Sequence, residues 1–297
     1  QTTGYTKATM NSGKVRNRGI ELQLDGTPVK TKNFTWNSTF TWAKNYNKVL
    51  SLAAGLTDGQ TIAYTGGTNC ALIAKVGGSI GDIYGYKLNR APDGQVVWKD
   101  GITARTTEFE YVGNAYPAWK AGFSNEFSYK NFRVSILFDG QWGGIVYSQT
   151  HHKMTEHGTL KHTLKYRENP NFEVVGEGVM LDERGQYVPN NVPISVSKYY
   201  ADYWRRANVE TNSFDASFLK LREARIEYTI PSAGLNKIGI ERLTLALYGR
   251  NLAMWTKDFP VYDPEVATLN NGTIVPGSEM GQLPSTRTMG FNLTLKF

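Results

Sequence analysis

Strict alternation of apolar and polar residues is the feature of this 297-residue chain that most constrains its fold. In "FTWNSTFTW" (Phe34–Trp42) every second residue is aromatic or the small Ser38, and the residues between are polar. A repeat of two residues describes a β-strand with one apolar and one polar face. The alternation recurs at 20–25, 119–129, 132–139, 223–230, 242–248 and 287–297. The pattern therefore predicts about seven strands of one kind, broken only at Asn125 and Leu137.

The connections between these segments alternate strictly between short and long. The short connections are Gly26–Lys32, Lys130–Asn131 and Pro231–Gly239. The long connections are about Asn47–Pro117, Gly143–Ser213 and Ala253–Pro284. A soluble β-sandwich usually has short loops at both ends, and connections of about 70 residues are unusual in a compact domain. Transmembrane β-barrels have tight turns on the periplasmic side and large loops outside, so the asymmetry favours an all-β antiparallel barrel.

The charge composition and its distribution along the chain indicate which kinds of partner to expect. The chain carries 33 Lys and Arg against 26 Asp and Glu, a net charge of +7, and the acids are spread throughout. This distribution lacks the single basic stripe of nucleic-acid-binding proteins, so we expect no nucleic-acid partner. A mild excess of cations suits a surface that faces anionic lipid head groups. No run of about 18 apolar residues exists, so the sequence predicts no transmembrane helix.

No catalytic or metal-binding motif stands out. The glycine-rich "GGTNCALIAKVGGSIG" lacks the Lys-Ser/Thr ending of a phosphate-binding loop. Cys70 is the only cysteine, and His151, His152, His157 and His162 have no spacing typical of zinc sites. We therefore expect no enzymatic activity, no metal and no cofactor.

Aromatic residues in the long connections are the candidate ligand contacts. Their rings suit sugar rings or peptide side chains, although loops of this size also need aromatic residues for their own packing. The sequence leaves these two interpretations open for each residue. The candidate substrate-binding residues are Tyr64, Trp98, Tyr147, Tyr187 and Trp255.

Five segments, taken in order, resemble SusC/RagA-type TonB-dependent outer-membrane transporters. The first, "NSGKVRNRGIELQLDGTPVKTKNFTWNSTFTWAKNYNKVLSL" (Asn11–Leu52), is similar to a Gly-Ile-Glu-Leu strand of that family followed by a Phe-x-Trp strand. The others are "YPAWKAGFSNEFSYKNFRVSILFDGQWGG" (Tyr116–Gly144), "SFLKLREARIEYTIP" (Ser217–Pro231), "LYGRNLAMWTKDFPVYDPEV" (Leu247–Val266) and "LPSTRTMGFNLTLKF" (Leu283–Phe297). The resemblance runs from about Asn11 to Phe297, nearly the whole chain.

The resemblance implies a barrel of about 22 strands whose lumen is plugged by an N-terminal domain. Such transporters import a bulky nutrient, a glycan or a peptide, across the outer membrane with energy relayed by TonB. A SusD-like lipoprotein covers their extracellular mouth. We expect residues 1–297 to be the C-terminal part of the barrel, without the plug and the first strands. The expected partners are therefore the lipoprotein, TonB through the N-terminal part, the glycan or peptide substrate and outer-membrane lipid.

The final segment resembles the end signal that outer-membrane assembly machinery recognises in barrels. We expect Leu293, Leu295 and Phe297 to face lipid and to form this signal. Two other functions are compatible with the same strands, a passive porin-like barrel and a secreted all-β carbohydrate-binding module. A plug domain in the parent gene distinguishes the transporter from the porin, and partitioning with the outer membrane excludes the secreted module.

Overall fold

One antiparallel sheet of seven strands dominates the computed structural model, which describes residues 13–53, 59–65, 68–231, 235, 238–265, 268–270 and 273–297. Each strand pairs with the next in chain order, as in a meander. The strands are β1 (Gly13–Lys30), β2 (Phe34–Leu52), β3 (Trp119–Tyr129), β4 (Phe132–Trp142), β5 (Phe218–Ile230), β6 (Arg242–Thr256) and β7 (Thr288–Lys296). The predicted antiparallel strands are confirmed, and most extend beyond the residues that alternate.

The strand registers place the apolar residues of the sheet on one face. One row across five strands consists of Leu24, Phe40, Phe123, Phe138 and Leu221. Side chains of this face are exposed at both edges of the sheet, where Ile20 and Phe291 are 64% and 79% accessible. Within the described residues no second sheet pairs with or covers this face. This arrangement differs from a soluble sandwich, in which the same residues would be packed inward.

The two residues that interrupt the alternation lie on opposite faces of the sheet. Asn125 lies on the apolar face, where its Oδ1 accepts a hydrogen bond from the indole nitrogen of Trp36 at 2.9 Å. The amide therefore satisfies the one polar atom of that indole. Leu137 lies on the polar face, opposite Ser124 and Glu223.

Three predicted connection boundaries were wrong. β2 continues to Leu52, so the first long connection begins after that residue and not at about Asn47. β1 continues to Lys30 through a bulge between Gly26 and Val29, which leaves residues 31–33 as the turn. β6 continues to Thr256, so the third long connection begins after that residue and not at Ala253. In all three places the register shifts by a bulge or irregularity, which breaks the period of two that marks a strand in the sequence. The turn at Lys130–Asn131 is as predicted.

The long connections fold into short strands and two helices, α1 (Gln149–Glu156) and α2 (Val196–Tyr203). Three 3₁₀ turns lie at Lys161–Leu164, Pro170–Phe172 and Glu210–Asn212. The short strands are Gln60–Thr65, Cys70–Ala74, Asp82–Gly85, Val97–Lys99, Ile102–Thr103, Glu110–Asn114, Ile145–Ser148, Glu173–Val175, Val179–Leu181, Tyr187–Pro189, Pro193–Ser195, Ser213–Asp215, Thr268–Asn270, Thr273–Val275 and Ser278–Glu279. In the described part of the chain, no helix has the length and apolar character needed to cross a membrane.

The three long connections share a hydrophobic core. Cys70 and Ile83 of the first, Tyr147 and Val209 of the second and Val275 of the third pack in one cluster, each at most 1% exposed. Burial raises the pKa of the Cys70 thiol to about 12, so the thiol is protonated and belongs to the packing. The connections therefore form one packed body at one end of the sheet.

Candidate functional site

The polar face of the sheet carries the candidate site. At the end that bears the long connections, this face borders a cavity of about 830 Å³. Asn17, Asn45 and Asn47 form a row of amides there, in which Oδ1 of Asn17 accepts from Nδ2 of Asn47 at 2.8 Å and of Asn45 at 3.3 Å. Asn47 in turn accepts hydrogen bonds from the hydroxyl of Ser79 and the backbone N–H of Ile80. The amide row thus joins the sheet to the first long connection.

A second cavity of about 450 Å³ lies beside an ion-pair network. The ammonium of Lys220 donates to both carboxylate oxygens of Asp263 at 2.8 and 2.9 Å and to Glu265 at 2.6 Å. Arg222 donates to Asp139 of β4 and to both oxygens of Glu265 at 2.7 and 2.8 Å. Glu265 therefore bridges two cations of β5, and the third long connection is held against the polar face.

A bulge in β5 gives this network its geometry. In "LKLREARIEYTI" the apolar residues are Leu219 and Leu221 first, then Ala224 and Ile226, so the alternation shifts by one residue. The register shifts at the same place, around Arg222, toward both neighbouring strands. A bulge adds one residue to a strand and redirects the side chains that follow. Both halves of β5 thus keep their apolar residues on one face, while charged side chains collect on the other.

Burial makes the Lys220–Asp263 pair different from the surface ion pairs. The side chains of Lys220 and Asp263 are 2% and 5% exposed. Burial acts to raise the pKa of Asp263, but hydrogen bonds from Lys220 and Ser285 outweigh it and hold that pKa below its ordinary value. Asp263 is therefore ionised at neutral pH, and the pair is a charged contact in the interior.

Glu279 is a second buried carboxylate, and it joins the second and third connections. Its oxygens accept hydrogen bonds from the hydroxyls of Ser148 at 2.5 Å and Tyr262 at 2.6 Å. The hydroxyl of Thr150 adds a third at 2.6 Å. Burial acts to raise the pKa of Glu279, but these donors outweigh it and lower that pKa. Neutral donors thus satisfy a buried anion, which makes it a structural joint between two loops.

The five residues predicted to contact a ligand lie in different environments in the structure. Trp98 and Tyr147 are at most 1% exposed, so neither contacts a ligand in this conformation. The indole of Trp98 donates to the carbonyl of Glu177 at 3.0 Å, and packing accounts for its position. Tyr64 and Tyr187 are exposed on the loop body and remain candidates. Trp255 lies within β6 opposite Leu219, on the apolar face of the sheet, so the structure separates it from the polar cavities.

The residues of the predicted end signal lie at the far edge of the sheet. Leu293 and Leu295 are in β7, opposite Leu245 and Leu243, on the apolar face. Phe297 follows β7 and is exposed. These positions agree with a lipid-facing orientation, while recognition by assembly machinery stays a prediction.

Two of the four histidines, His151 and His162, stack in the loop body, and His152 is buried beside the carbonyl of Trp204. Nδ1–H of His151 donates to Oδ1 of Asn212 at 2.9 Å, and the ring stacks on His162 with centroids 5.3 Å apart. Burial lowers the pKa of His151 to about 4 and also lowers the pKa values of His152 and His162. These rings are neutral at physiological pH. The described residues include no group of three or more His, Cys, Asp or Glu side chains arranged to hold a metal ion.

Sequence reasoning missed Lys220, Asp263, Glu265 and Glu279. The shift of alternation in β5 was a visible signal for the bulge, and through it for the charged side chains that follow. The two acids of "DPEV" gave no comparable signal, because their partners lie about 40 residues away in sequence.

The chain is similar over almost its whole length to TonB-dependent receptors. TonB-dependent receptor P26 of Formosa agariphila is 29% identical over 325 residues, which cover 99% of this chain and 30% of that receptor. Receptor P3 of the same organism is 24% identical with the same coverage. TonB-dependent receptor SusC of Bacteroides thetaiotaomicron is 26% identical over 151 residues, 47% of this chain and 15% of SusC. The chain thus spans about 30% of the length of the first two.

Solved structures show the same fold. The RagAB peptide transporter superposes with a TM-score of 0.66 at 19% identity, covering 99% of this chain and 31% of that chain. RagAB in its closed-closed state gives a TM-score of 0.63 at 20% identity, with coverage of 97% and 30%. Together with the similarity to the receptors above, this likeness shows that the sheet matches the C-terminal part of a TonB-dependent β-barrel transporter in fold. No protein-family model matches the chain.

Proposed function

We propose that this chain, a homologue of TonB-dependent receptors that include SusC, forms the C-terminal wall of an outer-membrane transporter that imports a bulky nutrient. The observation that carries the proposal is the two-faced sheet. Its apolar face is exposed and continuous across the strands, and its polar face borders the cavities. An exposed apolar face suits lipid, and a polar concave face suits the lumen of a barrel.

The sides of the membrane follow from the connections. The long connections form one packed body at one end of the sheet, and the short turns lie at the other. In barrels of this kind the large loops are extracellular. We therefore place the loop body outside the cell, where a SusD-like lipoprotein would contact it and deliver substrate. We infer that energy is coupled through TonB from the similarity to TonB-dependent receptors.

The protein's role in this proposal is to bind and translocate, without making or breaking bonds in its cargo. Three titratable groups of the described loop body, Cys70, His151 and Glu279, are buried, and His151 and Glu279 are hydrogen-bonded within it. A nucleophile needs a base within hydrogen-bond reach and access to substrate. The cargo class, glycan or peptide, is set by side chains on the loop body and the polar face.

The test uses the full-length protein in its native host. Deleting the gene should abolish growth on one glycan or peptide class, and the wild-type gene should restore it. Isolated protein incubated with that nutrient should leave it chemically unchanged, and the protein should fractionate with the outer membrane. Affinity purification should recover a lipoprotein partner. Growth that is unaffected on every nutrient tested, or a protein absent from the outer membrane, would contradict the proposal.

A further inference from the structure

Four cations form an unusual cluster on the apolar face of the β1–β2 pair. Between Val15 and Gly26 the register has no shift, so residues of equal parity share a face. Arg16 is paired with Lys48, Arg18 with Tyr46 and Ile20 with Lys44. We call Arg16, Arg18, Lys44 and Lys48 the outer basic cluster. They lie on the same face as Leu22 and Trp42 and continue that row toward the loop body.

The cluster carries an electrostatic cost that the described chain does not offset. Arg16 and Lys48 are directly opposite each other, and like charges in that position destabilise a sheet. Within the described residues, no carboxylate lies at ion-pair distance from any of the four cations. The ammonium of Lys44 lies 4.8 Å from the ring centroid of Tyr46, which is a weak substitute for an anion. The arrangement is therefore suited to an external anion.

The position of the cluster identifies the kind of anion. Along β1 the face changes from Arg16 and Arg18 to Ile20, Leu22 and Leu24 within one strand. Trp42, opposite Leu22, marks the change. Tryptophan favours the boundary between hydrocarbon and water, and basic side chains just beyond it extend to head groups. A dissolved anion would need no adjoining hydrocarbon surface, whereas a lipid presents its phosphate at this level.

An apolar groove lies farther across the sheet on the same face. Its floor is Ala121, opposite Trp42, and Gly140, and its volume is about 390 Å³. Trp119 and Trp142 stack on one side with ring centroids 6.4 Å apart. A Cβ at Gly140 would lie 2.4 Å from the carbonyl oxygen of Phe218, so only glycine keeps the floor at this depth. The groove has the shape and lining to take an acyl chain.

We propose that the outer basic cluster binds the phosphate groups of an anionic glycolipid of the outer leaflet, with an acyl chain in the Trp119–Trp142 groove. Arginine suits phosphate because its guanidinium donates two parallel hydrogen bonds. The bound lipid neutralises the cluster and fixes the height of the loop body above the bilayer. This inference rests on the proposed outer-membrane location.

The test measures lipid A bound to the delipidated full-length protein by native mass spectrometry. Arg16→Gln, Arg18→Gln, Lys44→Gln and Lys48→Gln are combined in one variant. Each cation near an anionic surface strengthens attachment by roughly fivefold, so the variant should retain at least about tenfold less lipid A. The variant Lys30→Gln with Lys32→Gln at the short turn should retain it. The charge-preserving variant Arg16→Lys with Arg18→Lys keeps the charge but loses the paired guanidinium hydrogen bonds, so it should retain less lipid A than wild type and more than the fourfold variant. Dephosphorylated lipid A should bind no better to wild type than to the variant.

Other outcomes overturn the inference. Equal lipid A retention by wild type and the fourfold variant would contradict the proposal. Complete displacement of lipid A by millimolar inorganic phosphate would also contradict it, because that result would indicate a site for a free anion. If the variant yields no folded barrel, the salt dependence of lipid A retention by the wild-type protein is the test. Retention should fall as salt screens the charges, and retention that does not depend on salt contradicts the proposal. Wild-type protein outside the outer membrane would refute the proposed function. Normal nutrient import with unchanged lipid A retention would refute this inference only.

Discussion

Lys220 and Asp263 lie 43 residues apart in sequence, and the ammonium of Lys220 donates to both carboxylate oxygens of Asp263 at 2.8 and 2.9 Å. The pair connects the sheet to the third long connection, and both side chains are buried. Breaking one member of a buried pair is costly, because the remaining charge stays in the interior. The contact therefore fixes where the third connection lies relative to the lumen.

Asp263→Asn should loosen the third connection. The substitution removes the negative charge and one acceptor from Lys220, and Glu265 remains as a partner, so we expect a local cost of about 1–3 kcal/mol. Hydrogen exchange across 257–287 in the full-length protein measures the effect. Glu241→Gln, which removes the exposed ion pair with Lys296, is the control and should leave exchange unchanged. Equal exchange in both variants would show that the buried pair does not hold the connection.

Acid should destabilise the loop body through its buried histidines. Burial lowers the pKa of His151 to about 4, while the unfolded value is about 6.5. Below pH 6.5 the unfolded state binds a proton that the folded state refuses, so stability is lost between about pH 6.5 and 4. The full difference corresponds to about 3 kcal/mol.

Proteolysis of the loops as a function of pH measures this effect. His151→Gln should reduce the pH dependence, whereas His157→Gln, at an exposed position, should leave it as in wild type. A loop body equally resistant at pH 4 and pH 7 would contradict this account.

The hydrogen bond between Trp36 and Asn125 makes a prediction about the apolar face. Asn125→Ala leaves the indole N–H of Trp36 without its partner, at a cost of about 1–3 kcal/mol. Replacing Trp36 with Phe as well removes that N–H, so the double variant should recover part of the loss. The temperature at which the folded barrel band disappears on gels gives the comparison. A double variant less stable than Asn125→Ala would mean that the hydrogen bond is not the cause.

The loop aromatics should divide into two functional classes. Tyr187→Ala should weaken binding of the nutrient with little change in stability, since the ring is exposed. Trp98→Ala should cost about 3–5 kcal/mol by leaving a cavity among Tyr199 and Tyr203. Binding affinity and thermal stability, measured together on the full-length protein, separate the two. Loss of affinity in neither variant would remove Tyr187 from the candidate site.

Most strands of the sheet could be predicted from the alternation of apolar and polar residues. The alternation exists because one face of every strand meets an apolar phase and the other face a polar one. It could not locate strand ends where bulges break the period, as at Gly26 and beyond Arg250. The alternation therefore predicted that the third connection begins at Ala253 and that Trp255 belongs to a loop. The shift of the alternation between Leu221 and Ala224 marks the bulge that builds the ion-pair network, but no bulge was predicted there.

The packing of the loop body could not be predicted from the alternation of apolar and polar residues. Trp98 and Tyr147 look the same in sequence as the exposed Tyr187, since burial depends on contacts between distant segments. Cys70, Tyr147 and Val275 meet in one core although they come from three different connections. Without a periodic pattern, nothing in the local sequence records such contacts.

The most direct test of the central claim is accessibility from outside the cell. In the full-length protein, Glu183→Cys lies in the loop body and Lys32→Cys in a short turn, both at exposed positions, and native Cys70 is buried and provides little background. On intact cells a membrane-impermeant maleimide should label the first and not the second, and both should react once the outer membrane is opened. Labelling of Lys32→Cys with protection of Glu183→Cys on intact cells would contradict the proposed orientation of the sheet in the membrane.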